Sequence, residues 1–152
     1  MSALNPYAPP KAIVDAGHGV ADIDGLWVSD SWKRRFKAMH KAGGPNLPNF
    51  KNLTGEERKD LSPFNVLAFL FGPFYYLAKG MWRKGLTLAV LCLIGVLALD
   101  ALLVLVGLGS FTSATGFASA AVYGALANRD YYAKMVLGQN GWWWEKRGSR
   151  IV

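Results

Sequence analysis

Residues 86 to 108 read LTLAVLCLIGVLALDALLVLVGL, a run of 23 residues with one charge, Asp100. At about 1.5 Å per residue, a helix of that length reaches about 34 Å, enough to cross a hydrocarbon core of about 30 Å. Core helices of soluble domains are rarely so uniformly apolar, so the run predicts a transmembrane helix. The surrounding 152 residues agree: 52% are hydrophobic and 18% are charged, against about 25% charged in an ordinary soluble domain. Aromatic residues at 13% exclude a disordered chain. Cys92 is the one cysteine, which excludes a disulfide-stapled fold.

A second helix is predicted from Phe117 to about Ala127, its apolar region starting near Phe111. Gly116, Ala120 and Gly124 recur four apart and share a face. This small-xxx-small pattern lets membrane helices approach closely, so these three residues are expected to pack on the 86–108 helix. The linker Gly109–Thr115 has no charge, and the two helices should form an antiparallel hairpin.

A third apolar stretch, Phe64 to Leu77, has 14 residues and contains Gly72-Pro73. Proline removes a backbone donor and biases the residue before it away from helix. A run this short either re-enters, lies in the interface or, as the alternative, forms a third crossing. Charge bias favours the first two. The chain carries 17 Lys and Arg against 10 Asp and Glu, net +7. Lys79, Arg83 and Lys84 precede the clear span, and Arg129, Lys134, Lys146, Arg147 and Arg150 follow the second helix. Basic loops stay cytoplasmic, so both termini are expected inside and Gly109–Thr115 outside. Residues 1–30 have no hydrophobic core, and Lys11 is their only Lys or Arg, so no signal peptide is expected.

The resulting plan is an all-α membrane protein in four parts. Residues 1–30 form a flexible, Pro- and Gly-rich N-terminus, and 31–62 a basic cytoplasmic helical region. Residues 63–138 form the membrane domain: 64–79 re-entrant or spanning, 86–108 transmembrane, and 113–128 transmembrane continuing to about 138. Residues 139–152 are an aromatic and basic tail. In the second part, Ser31–Ala42 has helical character with Asp30 or Ser31 available as N-cap. Trp32, Phe36 and Met39 share a face away from most of its cations, which suits either an anionic membrane surface or docking on the protein's own membrane part. Thr54 and Glu57 match a capping box, and Pro63 suits the start of the next segment. Gly138 suits a helix stop, and Trp142–Trp144 suit either an interfacial anchor or a partner contact.

The block Phe64-Asn65-Val66-Leu67-Ala68-Phe69, Phe71-Gly72-Pro73-Phe74-Tyr75-Tyr76 and Lys79-Gly80-Met81-Trp82-Arg83-Lys84-Gly85-Leu86 resembles the signature of a bacterial family of small inner-membrane proteins catalogued as domain of unknown function 2628. Trp32 to Phe36, Ala127-Asn128-Arg129 and Tyr131-Tyr132 resemble its flanks, so the resemblance covers about residues 30–135. It implies a bacterial inner-membrane location and supplies no activity or site residue.

The residues themselves offer three candidate sites. Lys79, Arg83, Lys84, Tyr75, Tyr76 and Trp82 place cations beside aromatic rings, as membrane anchoring requires and as a lipid headgroup pocket would use. Asp100 is a candidate intramembrane polar site; it either serves proton or ion coupling, or hydrogen-bonds Ser110, Ser113, Thr115 or Tyr123, or reaches outer headgroup water. Gly116, Ala120 and Gly124 are the helix-packing set. Asp15, His18, Asp22 and Asp24 lack a recognised metal-ligand spacing, and no nucleophile triad or phosphate loop is present. No metal, cofactor or catalytic residue is expected. Membrane lipids are expected partners, with a membrane-protein partner or a second copy; nucleic acid is disfavoured, since no recognised DNA-binding pattern accompanies the basic helix. The leading expectation is a non-enzymatic interaction or accessory subunit. The alternatives are an oligomeric transport or permeability protein and an anionic-lipid-binding module.

Overall fold

The computed structural model describes residues 23–142, and among them every regular element is a helix. The expected flexible N-terminus and the tail beyond Trp142 therefore lie largely outside the described residues.

Helix α1 spans Asp30–Lys41, and its N-cap is Ser29 rather than Asp30 or Ser31, without a side-chain cap bond. Of its expected apolar face, Phe36 and Met39 are buried, and Trp32 is half-buried against the same core. Helix α2 spans Gly55–Leu61 and starts with the capping box the sequence announces. The Glu57 amide donates to Thr54 Oγ1 at 3.4 Å, and the Thr54 amide donates to Glu57 Oε2 at 2.8 Å. Glu57 also accepts from Lys41 at 2.6 Å, which ties α2 to α1 and holds its carboxyl below the usual range.

The third apolar stretch folds as two short helices, α3 (Val66–Phe71) and α4 (Pro73–Ala78). Asn65 caps α3 through the Ala68 amide at 3.0 Å. Gly72 stops it at φ +49°, a left-handed backbone that glycine enters without a Cβ penalty. Pro73 then opens α4 at its first position, where a missing amide donor costs nothing. Each helix has six residues and is only about 9 Å long. Across the bend, Asn65 Nδ2 donates to the hydroxyl of Tyr75, in the first turn of α4, at 2.9 Å. The segment is therefore a V and not one continuous rod.

Helix α5 spans Trp82–Leu105, and α6 spans Thr112–Met135; a 3-10 turn at Gly109–Phe111 joins them. The predicted span thus starts four residues earlier and ends three earlier. It stops where Gly107 turns to φ +81° and the Leu108 amide reaches back to the Leu103 carbonyl. Among the described residues α5 alone is long and apolar enough to cross a membrane. Helix α6 equals it in length but carries Thr112, Ser113, Thr115, Ser119, Asn128, Arg129 and Asp130. It ends much as Gly138 suggests, with that residue at φ +66° and the Gln139 amide donating to the Ala133 carbonyl.

The V packs on the C-terminal half of α6 and on the start of α5. The Asn65 amide donates to the Gly124 carbonyl at 2.8 Å, and the Phe64 ring lies over Gly124. The helix-packing expectation is corrected here. Gly124 receives Phe64 and not α5, while Gly116 is exposed with open space about it and Ala120 is half-buried. Helix α5 instead meets the fold at Gly85, which lies beneath Tyr76 of α4 and whose carbonyl accepts from the Tyr123 hydroxyl of α6 at 3.2 Å. Bulky Tyr76 and Tyr123 rings fill the seam, with centroids 5.5 Å apart, so close backbone approach is confined to single glycines.

A Cβ on Gly85 would sit 2.7 Å from Tyr76 Cβ, whereas a Cβ on Gly95 would meet nothing within 4 Å. Gly85→Ala is expected to destabilise the protein by about 1–3 kcal/mol through overpacking. Gly95→Ala should be neutral or raise stability by up to about 1 kcal/mol, because alanine favours helix. Thermal unfolding of the two variants in detergent measures the contrast.

Candidate functional site

The polar and charged side chains that the fold buries gather where the V, the start of α5 and the end of α6 meet. Asn65, at 9% exposure, donates from Nδ2 to Asn128 Oδ1 at 2.8 Å as well as to Tyr75. Asn128 donates in turn to the Ser62 carbonyl at 2.7 Å. The chain entering the V is thus pinned to α6 by amide side chains whose donors and acceptors satisfy one another, as buried polar groups require.

Two residues further along α6, Asp130 accepts from two elements. Its Oδ2 takes the Tyr76 hydroxyl at 2.9 Å and its Oδ1 takes Lys84 Nζ at 3.3 Å. The ion pair is largely enclosed, with side-chain exposures of 11% for Lys84 and 14% for Asp130. Pairing and hydrogen bonding offset part of the cost of taking both charges out of water.

Above this lies a cluster of rings and cations. Lys79 Nζ is 4.6 Å from the Tyr131 ring centre, 5.4 Å from Trp32 and 5.9 Å from Tyr75, all within cation–π range. Arg35 stacks on Trp32 at 4.6 Å and donates to the Asp60 carbonyl at 3.2 Å. Burial pulls the Arg35 guanidinium below its usual value, and Tyr75 and Asp60 oppose the shift. Phe36 touches Tyr131 and Tyr132, with centroids 5.6 and 5.8 Å apart, and His40 Nδ1 hydrogen-bonds the Tyr132 hydroxyl at 3.2 Å. The face of α1 is therefore docked on the protein itself, the second of its two expected uses.

The six residues expected to form a headgroup pocket are separated by the fold. Tyr75 and Tyr76 are 8% and 0% exposed and serve the internal network, and Lys84 is committed to Asp130. Lys79 is enclosed by rings, while Arg83 and Trp82 face outward, Arg83 stacked on Trp82 at 5.5 Å. Trp142 meets Trp82 edge to face at 5.6 Å, so the first tail tryptophan contacts the protein; Trp143 and Trp144 lie outside the described residues.

Asp100 makes none of the four hydrogen bonds expected of it. Thr115 donates to the Thr112 carbonyl and Tyr123 to the Gly85 carbonyl, while Asp100 Oδ1 is buried without a hydrogen-bond partner. The half-buried stripe Cys92, Val96, Asp100 and Leu103 lies along one side of α5, four or three residues apart. Asp24 pairs with Lys37 at 2.7 Å, while Asp15, His18 and Asp22 lie outside the described residues. Among the described residues, no three His, Cys, Asp or Glu side chains gather as metal ligands.

Sequence reasoning missed the Asn65–Asn128 and Asp130–Lys84 pairs. The available signal was the Asn128-Arg129-Asp130 run following the apolar stretch of the second helix, where an unpaired buried polar group is costly.

The described residues thus form an all-helical fold, with a V of two short helices sealed to a long helical pair by buried amides and one ion pair. The model for the family described as "Protein of unknown function (DUF2628)" matches residues 29–136, and the chain is a member of it. Similar curated proteins are the "Uncharacterized protein YigF" of Salmonella typhimurium and of Escherichia coli K12. Each is 28% identical over 123 residues, which cover 76% of this chain and 90% of the relative. No solved structure matches.

Removing Lys84 alone leaves the Asp130 carboxylate enclosed and unpaired. Lys84→Met is expected to cost about 3–5 kcal/mol, and Lys84→Met with Asp130→Asn markedly less than the sum of the single changes. A double-mutant cycle by thermal or denaturant unfolding in detergent reads this coupling.

Proposed function

We propose that this chain is a multi-pass protein of the bacterial inner membrane that acts as a non-enzymatic interaction or accessory subunit. The observation that carries the membrane reading is the exposure of α5. A long apolar helix in a soluble core is mostly buried, yet only 6% of the apolar window of α5 is covered by the rest of the protein. Leu93, Ile94, Leu97, Leu102 and Leu105 all stand exposed. The V adds Leu67, Leu70, Phe71, Phe74 and Leu77, and α6 adds Phe117. Exposed apolar area on this scale needs lipid or protein to cover it.

In this reading α5 and α6 cross the bilayer, and the V dips in and returns. Its two short helices, broken at Gly72-Pro73, and the cations from Lys33 to Lys41, Lys79 to Lys84 and Lys134 onward support placing both termini in the cytoplasm. Non-helical backbone at Gly72 is tolerable there because Tyr123 lies beside it. The accessory role follows from what the buried polar groups do: they hold elements together, which leaves recognition to the exposed basic and aromatic surfaces.

Single cysteines at Ser2, Ser113 and Ser149, in a Cys92→Ser background, test the topology in sealed inner membranes. Only the Ser113 position should label from outside. Outside labelling at Ser2 with Ser149 inside establishes three crossings and rejects the returning V. The accessory role predicts that cross-linking in native membranes recovers a reproducible protein partner or a second copy; recovery as an isolated species argues against it.

A further inference from the structure

The described acids that form ion pairs do so with cations other than Lys79, Arg83 and Lys134. Asp24 pairs with Lys37, Glu57 with Lys41, Asp60 with Arg34 and Asp130 with Lys84. Lys79, Arg83 and Lys134 have no carboxylate partner among the described residues. Two of them are nevertheless held together. Lys134 Nζ donates to the Lys79 carbonyl; burial pulls the Lys79 ammonium below its usual value, and the Lys134 charge adds to the shift. The close approach is built in. Lys134 lies over Gly80, where a Cβ would be 2.6 Å from its Nζ, and Gly80 turns at φ +66°. Lys79 is fixed from the other side by Trp32, Tyr75 and Tyr131. Like charges so confined call for an anion between or beside them.

The position of the loop says which anion. Phe74 and Leu77 stand exposed just before Lys79, and Trp82 and Leu86 just after it. The cations therefore sit where two outward apolar surfaces end, beside the edge-to-face pair Trp82 and Trp142. That is the chemistry of a bilayer interface, with rings at headgroup level and cations facing phosphate.

We infer that Lys79 and Lys134, flanked by Arg83, bind the phosphate of an anionic phospholipid at the cytoplasmic leaflet. This rests on the membrane reading above and replaces the six-residue pocket: Lys134 enters, while Lys84, Tyr75 and Tyr76 leave. The lipid would neutralise a repulsion that the protein alone leaves standing, and it would bridge α6 to the loop between α4 and α5.

The test uses the full chain purified in an uncharged detergent, with thermal unfolding followed by tryptophan fluorescence. Added phosphatidylglycerol should raise the melting temperature of the wild type, since a ligand that binds only the folded state stabilises it. Lys134→Gln and Arg83→Gln should each lose most of that rise, and Lys134→Arg should keep it. Gly80→Ala removes no charge but displaces Lys134, and it too should lose the response. Should Lys134→Gln or Gly80→Ala fail to fold, the outward-facing Arg83→Gln decides alone. A control without Lys51 and Lys59, both exposed on the cytoplasmic helical region, should respond like the wild type. An equal loss in that control would mean diffuse attraction and overturn the site. So would an equal rise with phosphatidylethanolamine or with inorganic phosphate. Membrane insertion is read separately by the cysteine labelling, so a correctly inserted protein without a lipid response refutes the site and leaves the topology standing.

Discussion

Asn65 is the residue through which the V is attached. Its backbone amide donates to Gly124, its side-chain carbonyl caps α3, and its side-chain nitrogen donates to both Tyr75 and Asn128. Four bonds at one buried position join the entry of the V, its second helix and α6. Each bond matters more because its neighbours exclude water, so an amide that loses its partner has no substitute. Apolar packing on these helices is not directional enough to choose between a V and a straight rod. The amide network makes that choice, with Gly72-Pro73 supplying the bend.

The α1 region is held by different physics. Helix α1 brings Trp32 and Phe36 against Tyr131 and Tyr132, and Trp32 has Arg35 and Lys79 within cation–π distance. Such contacts suit a boundary region, since rings bury area while their cations keep one side toward water. The Asp130–Lys84–Tyr76 knot lies just beneath and joins α6, α5 and α4. The α1 region and the helical pair thus share Tyr75, Tyr76, Tyr131 and Tyr132 in a single core.

Asp100 stands apart from both networks. It sits five residues before the end of α5 with one oxygen buried and unpartnered, unlike every other described buried side-chain nitrogen or oxygen. The internal hydrogen bonds that would have made it purely structural are absent, because Thr115 and Tyr123 spend their hydroxyls on backbone carbonyls.

The helical character, the place of α5, the break at Gly72-Pro73, the capping box at Thr54 and Glu57 and the stop at Gly138 were legible residue by residue. Each depends on interactions within a few positions: apolar length, proline's missing donor, a reciprocal cap, a left-handed turn. The central block likewise identified the family. Which side chains remain available for recognition was decided only in three dimensions. Lys84, Tyr75 and Tyr76 look like interfacial residues along the chain, yet Asp130 and Asn65, 46 and 10 residues from their partners, draw them inward. Lys134, unremarkable in sequence, is brought to Lys79 across 55 positions. Local patterns set where helices begin, bend and stop; the pairing of buried charges and amides depends on which helices meet, and that is a property of the folded chain.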